Sequence, residues 1–110
     1  MMTETFTLTT KLWIWTSDKA PAAWHFATID GAVAHAIADA ALMDRLERTG
    51  SPRQRGFGSI KVKATIGGTT FATSIFPSKE SGGYLLPVKA LVRKAEGIAA
   101  GDEVTVSLSL

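Results

Sequence analysis

Cysteine is absent from the 110 residues of this chain. Disulfides, thiolate metal sites and cysteine nucleophiles are therefore excluded. Long apolar runs are missing too, and no segment is expected to span a bilayer. The opening Met1-Met2-Thr3-Glu4 has neither a basic region nor an apolar one. A secretory signal is thus not expected, and a cytoplasmic location is. Charge of one sign is scarce: twelve Lys and Arg against ten Asp and Glu leave +2. That is too little to argue for nucleic acid from charge alone.

The motifs of common enzymes are missing as well. No serine stands in a nucleophile elbow, and Gly56-Phe57-Gly58 lacks the third glycine of a dinucleotide loop. Gly82-Gly83 is not followed by the Lys-Ser/Thr of a phosphate-cradling loop. Glu80, Glu96, Asp102 and Glu103 fall at predicted loops and edges, where acids are ordinarily solvated and do not work in pairs. Histidine occurs only at positions 25 and 35. His35 and Asp39 share a predicted helix face, but two ligands fall short of the three or four that zinc wants. Neither a metal nor a cofactor is expected. His25 lies between Trp24 and Phe26 on a predicted strand and so points away from both. It is expected to be partly buried and hydrogen-bonded, and a weakly enzymatic reading would rest on it alone.

What is present suits one soluble domain over residues 1–110. Apolar residues make up 45% and charged residues 20%, and a chain of this length can close a core without staples. From Thr5 to Thr16, Phe6, Leu8, Leu12 and Ile14 alternate with threonines, Lys11, Trp13 and Trp15, the period of a strand. Ser17 to Pro21 reads as a turn and Ala23 to Ile29 as a second strand. Asp30 is placed to cap a helix over Gly31–Arg48, whose stripe is Ala34, Ile37, Ala38, Ala41, Leu42 and Leu46. Asp44 and Arg48 are spaced to pair on its outer face, and Gly50 stops it.

The clearest local pattern is a hairpin. Ile60, Val62, Ala64 and Ile66 alternate with Ser59, Lys61, Lys63 and Thr65, and Gly67-Gly68 separates them from Thr69 to Phe76. A two-residue loop sets Ile66 opposite Thr69, Ala64 opposite Phe71, Val62 opposite Thr73 and Ile60 opposite Ile75. The other face then carries Lys61 and Lys63 beside Thr70, Ala72 and Ser74. A short strand, Tyr84–Leu86, precedes Pro87, which is placed at the start of a helix running to Glu96. Val88, Leu91, Val92 and Ala95 are its expected buried face, with Lys89, Arg93 and Glu96 outside. Gly97 ends it, and Asp102 is placed to accept amides in the Ala100–Asp102 turn. The last strand alternates Val104, Val106, Leu108 and Leu110 with polar residues. A strand runs into a helix twice, from Trp24 to Ile37 and from Tyr84 to Ala95, an arrangement that is common in itself and that two related halves of one barrel would also give.

Several tracts occur in the order of a known family: Gly58-Ser59-Ile60-Lys61-Val62, Ile66-Gly67-Gly68-Thr69 through Pro77, Gly83-Tyr84-Leu85-Leu86-Pro87-Val88-Lys89, Val92-Arg93-Lys94-Ala95-Glu96-Gly97-Ile98 and Gly101-Asp102-Glu103-Val104. Together with Trp24-His25-Phe26 they resemble the bacterial domain-of-unknown-function family DUF1905. The stretch from Asp30 to Phe57 matches least. The resemblance implies a mainly β fold, a small closed, double-split barrel of about five to seven strands capped by two helices. It also implies kinship with swapped-hairpin DNA-binding regulators, through Leu86-Pro87, Arg93, Gly101-Asp102 and Val104. No activity comes with the family.

The expectation for function is a non-enzymatic binding or accessory module, monomeric or weakly dimeric, for a small anionic or amphipathic ligand or a partner protein. Its site is expected where the Arg53–Phe57 loop, the hairpin and the second helix meet. There Arg55, Arg93, Lys89 and Lys61 would supply charge, Ser74 a hydroxyl, and Trp24 and Tyr84 an apolar wall. DNA binding is the alternative, less favoured at +2.

Overall fold

The computed structural model describes residues 5–18, 20–50, 59–80 and 82–110. Six antiparallel strands close a barrel in the order β1-β2-β5-β4-β3-β6, with two helices. The strands are β1 (Thr5–Ser17), β2 (Ala20–Ile29), β3 (Ile60–Ile66), β4 (Thr69–Pro77), β5 (Tyr84–Pro87) and β6 (Glu103–Ser109). The helices are α1 (Gly31–Thr49) and α2 (Ala90–Glu96).

Period-two alternation decides which side chains enter the barrel. Leu12, Ala27, Ile29, Val62, Ala64, Ile66, Ile75, Leu86, Val104, Val106 and Leu108 fill it. No polar or charged residue is fully buried among the described residues. The β3–β4 hairpin has the expected register from Ile66↔Thr69 to Ile60↔Ile75. Its turn uses Gly67 at φ +59°, a conformation that L side chains resist.

Strand β1 serves two neighbours in succession. Thr5 to Lys11 pair with β6, and Leu12 onward pair with β2. The exchange occurs at Leu12, whose N–H donates to the Asp102 carbonyl (2.9 Å) and whose carbonyl accepts from the Gly101 N–H (2.7 Å). Beyond it, β1 continues alongside β2, with a register irregularity between Trp15 and Ser17. The expected Ser17–Pro21 turn is therefore tighter, because the ladder reaches Ser17↔Ala20.

The helices leave opposite ends of the barrel. Ile29, from which α1 departs, pairs with Tyr84 at the start of β5, and Phe26 pairs with Pro87, from which the chain runs on to α2. Helix α1 anchors through Ala34 and Ile37. Ala38, expected in its stripe, is exposed. Asp30 occupies the N-cap in extended conformation, but its carboxylate makes no capping bond; its backbone carbonyl accepts from Ala34 instead. Gly50 ends the helix with a bond to Leu46. The Arg48 side chain of the expected Asp44–Arg48 pair lies outside the described residues.

Helix α2 begins later than its sequence suggests. Pro87 remains in β5, paired with Phe26, and the Val88 N–H donates to the His25 carbonyl at 2.9 Å. The strand partner claims both residues, so the helix starts at Ala90 with Lys89 as N-cap. This moves its buried face: Val92 alone is buried within it, Ala95 is exposed, and Leu91 is 82% exposed. Asp102 does accept in its turn, from the Ala99 N–H at 2.8 Å.

Candidate functional site

The outward faces of the barrel differ in chemistry. Across β1, β6, β3 and β4 the face is hydroxyl-lined. Its hydroxyls bond one another at Thr7–Ser107 (3.2 Å), Thr9–Thr105 (3.0 Å) and Thr65–Thr70 (2.8 Å). Lys61 and Ser74 face each other there, with Lys63 beside Ala72. An open depression of about 500 Å³ is lined by Lys61, Val62, Lys63, Ser109 and Leu110. Across β1, β2, β5 and the end of β4 the outward face is aromatic. Trp15 pairs with Trp24 and Trp13 with Phe26. Trp24 stacks on Phe26 at 6.3 Å, the rings 9° apart, and the Trp13 indole donates to Thr28 Oγ1 at 2.8 Å.

The other side of the β1–β2 pair holds His25, opposite Ile14. Strand parity points it toward the barrel axis at the end from which α2 departs, and there Arg93 meets it. Arg93 sits one turn into α2, where its N–H is held by the Lys89 carbonyl at 3.1 Å. Its side chain folds back: Nε donates to the Val88 carbonyl at 3.2 Å, and Nη1 lies 3.4 Å from His25 Nε2. A guanidinium only donates, so Nε2 must accept, which requires a neutral ring with its proton on Nδ1. That Nδ1 is buried and has no partner among the described residues. Burial first, and the Arg93 charge second, hold the His25 pKa below 6.5 and keep the ring neutral. Arg93 is half-buried, and among the described residues it has no carboxylate partner. Two of its five N–H groups are engaged by Val88 and His25, and the others have no partner among the described residues and suit an anion.

Glu96 secures this end. Its carboxylate accepts from the Gly68 N–H (3.2 Å) and the Thr69 hydroxyl (2.5 Å), tying α2 to the β3–β4 turn. Expected outside, Glu96 is instead half-buried as a clamp.

With the barrel and its α2 end described, the family is settled. A family model described as "Domain of unknown function (DUF1905)" matches residues 8–108. The chain belongs to that family. No curated protein matches it.

The expected site residues do not all converge. Arg93 and Lys89 lie at the α2 end, the latter exposed. Trp24 is on the same strand as His25 but on its other face. Lys61 and Ser74 share the hydroxyl-lined face. Tyr84 starts β5 at the end from which α1 departs, half-buried. Burial raises its pKa and the nearby Arg45 charge partly offsets the rise. Arg53, Arg55 and Phe57 lie outside the described residues. His35 and Asp39 are exposed and do not bond each other. No group of three metal-ligating side chains occurs among the described residues, and no described helix is long and apolar enough to cross a membrane.

The Glu96 clamp and the His25–Arg93 contact went unread in the sequence. The clamp had no local signal, since its partners lie 27 and 28 residues away. His25 and Arg93 are 68 apart, and only the pairing of β2 with β5 joins them.

Proposed function

We propose that this domain is a non-enzymatic binding module that takes an anionic group, carboxylate or phosphate, of a small ligand or partner at the α2 end of the barrel. One observation carries the reading: the half-buried Arg93 guanidinium is positioned by Val88 and His25 and lacks a carboxylate partner among the described residues. A guanidinium taken partly out of water gains most from an ionised acceptor, which it can bind in a fork. Neutral His25 orients the guanidinium without competing for the anion. The non-enzymatic part rests on an apolar barrel interior and on a histidine whose one side-chain partner among the described residues is a guanidinium cation. A cytoplasmic setting belongs to the same proposal.

The test is an NMR titration with inorganic phosphate, acetate and citrate. Saturable shifts at the Val88 and Arg93 amides and the His25 ring, with millimolar affinity for these minimal probes, are expected. Arg93→Gln should abolish them. Shifts absent for every probe, or equal in Arg93→Gln, refute the reading.

A further inference from the structure

An apolar wall stands beside the His25–Arg93 contact. Cross-strand pairing sets Ile14 opposite His25, so the two side chains share one side of the strands, with Cβ atoms about 5 Å apart. On that same side Leu12 and Ala27 also face each other, and both are buried in the barrel. Ile14 lies past the point where β6 leaves β1, and 46% of it is exposed. It lines an open depression of about 700 Å³ together with Leu12 and with Ala100 and Gly101 of the turn that follows α2. The charged lining of that depression, Lys11 and Asp30, is exposed and of both signs.

We propose that the anion held by Arg93 is the carboxylate of a small apolar acid, whose hydrocarbon tail runs along Ile14 into this depression. The inference rests on the anion-binding reading above and names its ligand. The head group follows from the cation. Arg93 presents one half-buried guanidinium beside a neutral ring, and its planar fork matches the two coplanar oxygens of a carboxylate and balances a single negative charge. A phosphate monoester brings a second charge, and the other cations of this segment, Lys89 and Lys94, are exposed, where water weakens the attraction. The tail follows from the wall. Ile14 carries no hydrogen-bonding side-chain group, and a hydrocarbon laid on it takes the apolar surface of both out of water. The depression then gives that tail room beyond the reach of the guanidinium.

NMR titrations with acetate, butyrate, hexanoate and octanoate at constant ionic strength test this, with hexanol as the uncharged control and inorganic phosphate alongside. A fully buried methylene strengthens binding about fourfold, so an open wall that covers half of each should give about twofold. Octanoate should therefore bind roughly fifteenfold more tightly than butyrate, and hexanol more weakly than hexanoate. Ile14→Ser should cut the octanoate-to-butyrate ratio to about threefold or less and keep the wild-type circular dichroism, since Ile14 is half exposed. Independently of any variant, nuclear Overhauser contacts in the wild-type protein should join the octanoate chain to the Ile14 Cδ1 methyl. Affinity that stays flat from acetate to octanoate overturns the inference and leaves the anion site standing, as does binding of phosphate with no carboxylate. A chain-length gain that Ile14→Ser retains, contacts from the chain to Trp24 on the opposite side, or hexanol binding as tightly as hexanoate also overturns it. If no probe shifts the Arg93 amide, phosphate included, the anion reading itself fails and this inference with it.

Discussion

Gly83→Ala probes the junction that fixes α1 to the barrel. Gly83 is buried just before β5, where Ile29 pairs with Tyr84. A Cβ added there would overlap the Ile29 backbone carbonyl and come within 3.1 Å of the Ala34 Cβ. The obstacle is backbone, so no rotamer change relieves it. Either β5 retreats from β2, or the Ile29–Ala34 segment shifts and loosens α1. Overpacking of this kind costs about 1–3 kcal/mol. A ladder hydrogen bond lost at Ile29/Tyr84 adds about 1 kcal/mol. A loss of about 2–4 kcal/mol is expected, a large share of the roughly 5–15 kcal/mol that holds a domain together. At about 4–8 °C per kcal/mol the melting temperature should fall by at least ~8 °C. Urea unfolding followed by circular dichroism measures the same loss, with an unchanged m-value certifying a two-state comparison. A midpoint within error of wild type would refute the reasoning, because it would mean that the two backbones are not in close contact.

Two other perturbations test the α2 end. Glu96→Ala removes the acceptor of Gly68 and Thr69; it should cost about 1–2 kcal/mol and speed hydrogen exchange in α2 ahead of β3 and β6, and unchanged exchange would show that the clamp is idle. For His25 the folded pKa lies below 6.5, so the unfolded chain binds the extra proton first as pH falls. Its contribution is complete above pH 6.5 and is lost as pH drops through the lowered folded value. Arg93→Gln should raise the His25 pKa, read from ring proton shifts, yet leave it below 6.5, because burial is the larger cause. A pKa at or above 6.5 in wild type would contradict the described geometry.

Hydrophobic periodicity made most strands legible, and the β3–β4 register followed from two glycines between two alternating runs. The closed barrel with two helices came from the family resemblance more than from the pattern. The aromatic face is a mixed case. Positions 13, 15, 24 and 26 alternate, so their common side was implicit in the sequence. Their partners were not: pairing runs Trp15↔Trp24 but Ser17↔Ala20, an irregularity of two residues. A shift of two preserves which side a strand residue faces while changing whom it meets.

Local chemistry, by itself, determined where strands alternate, where Gly67, Gly50 and Gly97 turn or end them or their helices, and that Asp102 accepts in its turn. Such features depend on a few consecutive residues, whose spacing is in plain view. Tertiary structure decided that Pro87 stays in a strand, that Leu91 faces outward and that Glu96 holds a hairpin. It also brought Arg93 to His25. Each of these follows from β2 lying beside β5 or from α2 lying against the hairpin. Pairing between distant segments is chosen by the closure of the whole barrel, and no local spacing encodes it.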